Sequence, residues 1–303
     1  CFSINDTKLN SVIFLQTRLP SHRDAHIWIS IPFCFIYVIS IVGNSVILFI
    51  VKTDPRLHEP IYIFLSMLAI TDLGISIMTI PMILGIYFLD ACLAQLFFIH
   101  VLHCIESSVL LLMAFDRFIV IYNPLRYTSI LILPRIAKMG LMAVVRATVI
   151  ILPLPFLLKR FQYCGNNVLS HSYCVHREVM KMACSDITVN IIYRLFTKLF
   201  QMGLDLLLIF LSYVMILKTV LSIGSHEEYL RVLNTCVSHL CHPAPLHTRD
   251  HLDCDTKFEK GSLPLLQIVL GYISLLLPLL INPIVYSVKG KHLRERIIWV
   301  FIK

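Results

Sequence analysis

The sequence predicts an all-α integral membrane protein: a seven-transmembrane-helix bundle with a short interfacial C-terminal helix and a corrupted sixth helix. Three observations carry this reading. Of 303 residues, 57% are hydrophobic and only 15% are charged, against roughly 45–50% and about 25% in soluble domains. Mean hydropathy is +0.80, which excludes an ordinary water-soluble domain. Six apolar runs each reach the length of about 20 residues that crosses a bilayer. Seven such spans consume roughly 140 to 170 residues and leave only short loops in a chain of this length.

The runs are Ile27–Val51, Ile61–Phe88, Leu93–Tyr122, Ile136–Leu158, Asn190–Ile223 and Leu263–Val288, each bounded by polar or Pro-containing turns. The interval from Arg231 to Gly261 begins like a further span, with Leu233 to Cys241, and then turns polar. Arg249, Asp250 and Asp253 follow Pro243 and Pro245. A charge at the centre of a span costs about 2.5–3.5 kcal/mol on insertion scales, so this segment does not insert. His239, Cys241, His242, His247, His251 and Cys254 imitate a zinc site. The prolines break its spacing, and neither a metal nor any other cofactor is expected.

Residues 1–303 read as one domain, with 1–26 an extracellular N-terminus, 27–288 the bundle and 289–303 a cytoplasmic tail. With the N-terminus outside, Lys52, Arg56, Arg117, Arg126, Arg135, Lys138, Lys218, Arg231, Lys289, Lys291, Arg294 and Arg296 all fall on one side. That side is the cytoplasm by the positive-inside rule, although Lys159, Arg160, Arg177 and Lys181 weaken the bias. Asn5-Asp6-Thr7 is a glycosylation sequon that an outer N-terminus would expose. The first 26 residues hold no uninterrupted hydrophobic core, so no cleavable signal peptide is expected. The chain begins at Cys1 and not Met, as a fragment, a processed chain or a conceptual translation would. Lys289 to Ile302 is basic on one side and apolar on the other, which suits a helix lying on the bilayer surface.

The net charge of +8 comes from 26 Lys and Arg that are scattered along the chain, so nucleic acid is not an expected partner. A transporter would show internal repeats and spans broken by Gly and Pro in both halves. A membrane enzyme would need a catalytic pair in facing spans. Neither pattern is present.

Ionisable groups inside spans are functional candidates, since their burial must be offset by partners or water. They are Asp72, Glu106, Asp116-Arg117 and Asp205, joined by the polar Asn44 and Asn282. Asn282-Pro283-Ile284-Val285-Tyr286 puts a proline inside a helix, which removes one backbone hydrogen bond and permits a kink. Together these residues predict a polar seam through the bundle, with Asp205 the one best read as structural glue.

Gly43-Asn44, Leu57-His58-Glu59-Pro60-Ile61-Tyr62, Met113-Ala114-Phe115-Asp116-Arg117-Phe118, Asn123-Pro124-Leu125-Arg126-Tyr127 and the Asn282 to Tyr286 motif resemble olfactory receptors, within the rhodopsin-like G protein-coupled receptors. His26 to Pro32 and Leu233 to His239 resemble their class I, or fish-like, branch. The resemblance covers nearly the whole chain except about 15 residues after Cys241.

It implies a receptor in the plasma membrane that binds a small-molecule odorant and activates a heterotrimeric G protein. Arg117 would be the switch arginine, held by Asp116 at rest, with Phe118 where tyrosine is commoner. Asp72, Asn44 and Asn282 would form a hydrated site that rearranges on activation, and Tyr286 would swing inward. Cys92 would bond Cys174, and Cys164 would bond Cys184. The ligand pocket would hold His100, with His103, Cys104, His176, Arg177 and Lys257 as further candidates, and class I relatives tend toward carboxylated ligands. The connection Tyr87 to Cys92 is shorter than in the family and lacks a tryptophan.

One back-translation of Cys241 to Thr256, read one base later, gives the apolar string AILLLFTPVITLTVI. Motifs on both sides stay in register, so the segment reads as two compensating frameshifts. The nucleotide sequence is therefore expected to carry codons that restore this span in the shifted frame. Codons incompatible with the shift would sink the idea.

Overall fold

A computed structural model describes residues 13–16, 23–79, 86–161, 168–169, 179–180, 184, 186–223, 279–285 and 291–302. The damaged segment after Cys241 lies outside the described residues. Strand β1 (Ile13–Gln16) leads to helix α1 (Arg23–Thr53), and α2 (Pro60–Thr79) is followed by β2 (Ile86–Phe88). Then come the 34-residue α3 (Leu89–Tyr122), the one-turn α4 (Tyr127–Ile130), α5 (Leu133–Ile151), α6 (Pro153–Lys159) and β3 (Val168–Leu169). Helices α7 (Thr188–Lys198) and α8 (Leu204–Ile223) follow, then α9 at residues 279–285 and α10 (Lys291–Ile302).

Among the described residues, five helical stretches are long and apolar enough to cross a membrane. They are Cys34–Thr53, Pro60–Thr79, Asp90–Tyr122, Leu133–Lys159 and Thr188–Thr219. The first five apolar runs of the sequence thus each find their helix. Only 279–285 of the last run is described, and it is helical.

Local chemistry explains the breaks. Pro60 opens α2 at its first turn, where the missing N–H costs nothing. Leu133 and Pro134 open α5 in the same way. The fourth span divides at Pro153, which has no N–H to give to the preceding turn. The fifth divides at Leu199–Gly203, a π-helical turn between α7 and α8. Just before α7, Asp186 Oδ1 accepts from the Thr188 amide at 2.9 Å and from the Thr188 hydroxyl at 2.5 Å. That pair of bonds, the hydroxyl's first, holds its carboxyl below the usual carboxylate range.

The second apolar run does not continue as helix to Phe88. Ile86–Phe88 is instead extended and pairs antiparallel with Ile13–Leu15, whose other edge pairs in parallel with Val168–Leu169. Pro81 and Gly85 punctuate the sequence before it. This small three-stranded sheet joins the N-terminal segment to the connections flanking α3 and α6, at one end of the bundle.

Long helix α3 is the hub, packing against α2, α5, α6 and α8. Its buried Val109, Leu110 and Met113 meet Ile47, Phe64, Leu68, Ile209, Tyr213 and Ile216 from neighbouring helices in one apolar core. Small residues allow close approach where lipid gives helices no hydrophobic drive to associate. A Cβ on Gly43 would stand 3.2 Å from the ring of Pro283, so α1 and α9 touch through that glycine.

The C-terminal helix is docked, not splayed. Its Leu293 is fully buried in the same core and Ile297 packs beside it. Asp54, which accepts from the Arg56 amide at 3.1 Å, also receives the Arg296 guanidinium in an ion pair, and Arg296 lies 5.5 Å from the ring centroid of Trp299. The Arg56 amide and then Arg296 hold the Asp54 carboxyl below its ordinary value of 3.8. A carboxyl depressed in the folded state stabilises docking above that ordinary value and loses its effect as pH falls through the folded value. Arg296→Ala is accordingly expected to broaden the distance distribution between probes at Lys52 and His292 at neutral pH. In the unsubstituted chain only acid below the ordinary carboxylate range should do the same, and a distribution indifferent to Arg296→Ala would refute the docking role.

Candidate functional site

Three polar clusters run along α3. The innermost in burial is Asp72, Glu106 and Asn282, each at 2% exposure or less. Asn282 Nδ2 donates to Asp72 Oδ1 and Oδ2 at 3.1 and 3.0 Å and to Glu106 Oε1 at 3.2 Å. One amide thus bridges α2, α3 and α9. It has two hydrogens and faces three carboxylate oxygens, so it cannot satisfy all of them at once. His103 Nδ1 lies 3.2 Å from the other Glu106 oxygen and offers a countercharge when protonated. Asn44 donates to the Ser40 carbonyl at 3.0 Å and comes within hydrogen-bonding range of Asp72. Ser40 in turn donates to the Leu279 carbonyl at 3.1 Å. Two buried carboxylates this close repel unless a proton or cation divides them, which makes the cluster responsive to small movements of its helices.

The second cluster was only half visible in the sequence. Arg146 Nη2 donates to both oxygens of Asp205 at 2.7 and 2.6 Å and to Ser108 Oγ at 3.0 Å. Ser107 Oγ donates to Asp205 at 3.0 Å. Asp205 is fully buried, so α3, α5 and α8 are tied through one intramembrane ion pair. Asp205 is structural glue, as its sequence reading holds. Arg146 escaped that reading although an arginine interrupting the Ile136–Leu158 run was itself the signal.

The third cluster closes the C-terminal end of α3. Asp116 Oδ2 is 4.0 Å from Arg117 Nε, an ion pair at the limit of contact. Tyr127 Oη donates to Asp116 Oδ1 at 2.9 Å, a closer hold than the arginine has. Burial, reinforced by the Asp116 carboxylate, pushes the Tyr127 hydroxyl far above its ordinary value, so it remains a donor throughout the physiological range. Phe118 stacks on Tyr122 with centroids 5.3 Å apart.

Met113 to Phe118 thus sits where a polar cluster ends an apolar core, and Asn282-Pro283 meets both Asp72 and Gly43. Sequence comparison gives this arrangement its context. A family model described as olfactory receptor matches residues 33–303. The chain belongs to the olfactory receptor family. Human Olfactory receptor 51G2 is 51% identical over 98% of this chain and 97% of its own length. Human Olfactory receptors 51G1 and 51A7 are each 49% identical, over 98% and 94% of this chain and 95% and 94% of their own lengths. These relatives agree with the class I branch read from the sequence. Membership makes the protein a receptor and not an enzyme, set in the plasma membrane by several spans, acting on small-molecule odorants through G proteins.

Of the other residues singled out from sequence, Pro283 is buried against Gly43. His100 is partly buried, its Nδ1 2.8 Å from the Leu96 carbonyl. Cys104 is partly buried, and its carbonyl accepts from Ser108 at 2.8 Å. Cys92 and Cys184 are both disulfide-bonded. Asn5, Cys164, Cys174, His176, Arg177, Lys257 and Tyr286 lie outside the described residues.

Removing one partner of a buried ion pair strands the other charge, at a cost of about 3–5 kcal/mol. Arg146→Met or Asp205→Asn alone is therefore expected to lower thermal stability in detergent by that order. The double variant Arg146→Met with Asp205→Leu should lose less than the sum of the two. Single losses that are small or strictly additive would show that the pair does not act as a unit.

Proposed function

We propose that this chain is built as an odorant receptor for small polar, carboxylated odorants and couples to a G protein that raises cAMP. The observation that supports this best is the Asn282 bridge between Asp72 and Glu106, on the same helix that carries Asp116-Arg117. An odorant that shifts α3 or α9 changes the sharing of one amide among three oxygens. Such a shift biases a two-state bundle. Asp116, Arg117, Phe118, Asn282, Pro283 and Tyr286 form the proposed G-protein switch, and Asn44, Asp72 and Asn282 its polar core.

The odorant carboxylate would be taken by a basic group, through charge-assisted hydrogen bonds. His100 is the first candidate, followed by His103, Cys104, His176, Arg177 and Lys257. His103 already engages Glu106, which fits it to couple ligand to core. Cys92–Cys174 and Cys164–Cys184 are the proposed disulfides, and the bonded state of Cys92 and Cys184 supports that choice. An extracellular N-terminus glycosylated at Asn5, a bundle over 27–288 and a cytoplasmic tail over 289–303 complete the reading. The docked α10 supports the tail assignment, and its exposed Ile298 and Trp299 suit the bilayer surface.

A second reading is favoured by residues 242–256. With that polar segment in place of a span, the chain is a non-signalling product of the same family. Surface labelling with a cAMP reporter, challenged by a panel of short carboxylic acids, separates the two. The frame-restored chain is expected to signal and the present one to stay silent. In the restored chain His100→Ala should weaken the response by about 10- to 100-fold, the loss of one charge-assisted contact. Equal signals from both chains would show that the segment is not damage.

A further inference from the structure

Away from the three clusters, α3 and α6 enclose a groove of about 260 Å³. Ala94, Phe97 and Phe98 form one wall, and Leu152 and Phe156 form the other. Phe98, Leu152 and Phe156 are 46%, 46% and 62% exposed, so the groove opens sideways from the bundle, toward the hydrocarbon. Its end is different. Lys159, in the last turn of α6, donates to Asp90, in the first turn of α3, at 2.9 Å, and both are exposed. From Asp90 to Phe98 the helix rises about 12 Å, close to the depth of one leaflet in a core of about 30 Å. The charges therefore stand at headgroup level and the aromatic rings within the acyl region.

We propose that this groove binds one acyl chain of a zwitterionic glycerophospholipid, whose phosphate meets Lys159 and whose ammonium group meets Asp90. The Asp90–Lys159 pair carries no net charge but presents opposite poles side by side, the complement of a phosphocholine head. An anionic head would satisfy Lys159 and be repelled by Asp90. Bound lipid would wedge the third and fourth spans at the end of α3 that carries Cys92 and His100. The site is distinct from the proposed odorant pocket and needs only the membrane setting of the family.

The test is native mass spectrometry of the full chain, extracted from nanodiscs holding equal amounts of phosphatidylcholine, phosphatidylglycerol and cholesterol. Phosphatidylcholine adducts are expected to exceed phosphatidylglycerol adducts by at least five-fold. Ala94→Phe places a ring in the groove from an exposed position and should cut those adducts at least five-fold, while Asp90→Lys, which removes the repulsion of an anionic head, should abolish the preference. Where Ala94→Phe yields no monodisperse protein, a photo-crosslinking residue at Leu152 reads the same site. Adducts unchanged by Ala94→Phe, retention of cholesterol instead, or crosslinks that merely follow lipid abundance would each overturn the proposal. Lipid retention is read without any odorant or G protein, so it stands or falls apart from the signalling assay.

Discussion

No water is available inside a bilayer to satisfy a polar group, and the bundle is organised around that constraint. Asp72 and Glu106 are fully buried carboxylates on adjacent helices, and the amide of Asn282 is what stands between them. The placement of α9 follows from it. Once Asn282 is committed to both acids, Pro283 comes against Gly43 and Ser40 reaches the Leu279 carbonyl, so α1 is drawn into the same assembly. Apolar packing between helices supplies little selectivity in lipid, where the surroundings are as apolar as the contact. Directional hydrogen bonds decide which faces meet.

The same rule operates on the opposite side of α3. Arg146 and Asp205 neutralise each other and recruit Ser107 and Ser108, which fixes α5 and α8 against the hub. Asp205 stands just after the π-helical turn at Leu199–Gly203, which introduces an irregular turn immediately before the ion pair. At the C-terminal end of α3, Tyr127 and Arg117 compete for Asp116, and the tyrosine holds it more closely. One helix thus contributes Glu106 to the acid pair, Ser107 and Ser108 to the Arg146–Asp205 ion pair, and the Asp116 carboxylate shared by Tyr127 and Arg117.

Much of this was legible before any coordinates. Five apolar runs became five long helices, because a span of that length has no other way to satisfy its backbone in lipid. Asp72, Asn44, Asn282 and Asp116 were picked out simply because they are polar within apolar runs, Asn282 in the sixth of them. Partners were harder. Glu106 was visible as an intramembrane acid, yet its tie to Asn282 spans 176 positions and has no local signature. Arg146 did carry a local signal, a charge inside an apolar run, but its partner Asp205 lies 59 positions away and only the bundle brings the two together. The extended Ile86–Phe88 reads as a continuation of an apolar run, since hydropathy cannot distinguish a helix end from a short strand.

Composition, run length and the order of short motifs determined by themselves that this is a membrane-spanning receptor of the olfactory family, and where its polar segment departs from the pattern. Those are properties of a chain in a solvent: apolar length sets what crosses a bilayer, and charge sets what does not. The tertiary structure alone decided which polar groups share protons and hydrogen bonds. It set Asn282 between two acids, Arg146 on Asp205, Tyr127 on Asp116 and Arg296 on Asp54. Such pairings depend on how helices remote in sequence are rotated and tilted against one another, and that geometry exists only once the bundle has closed.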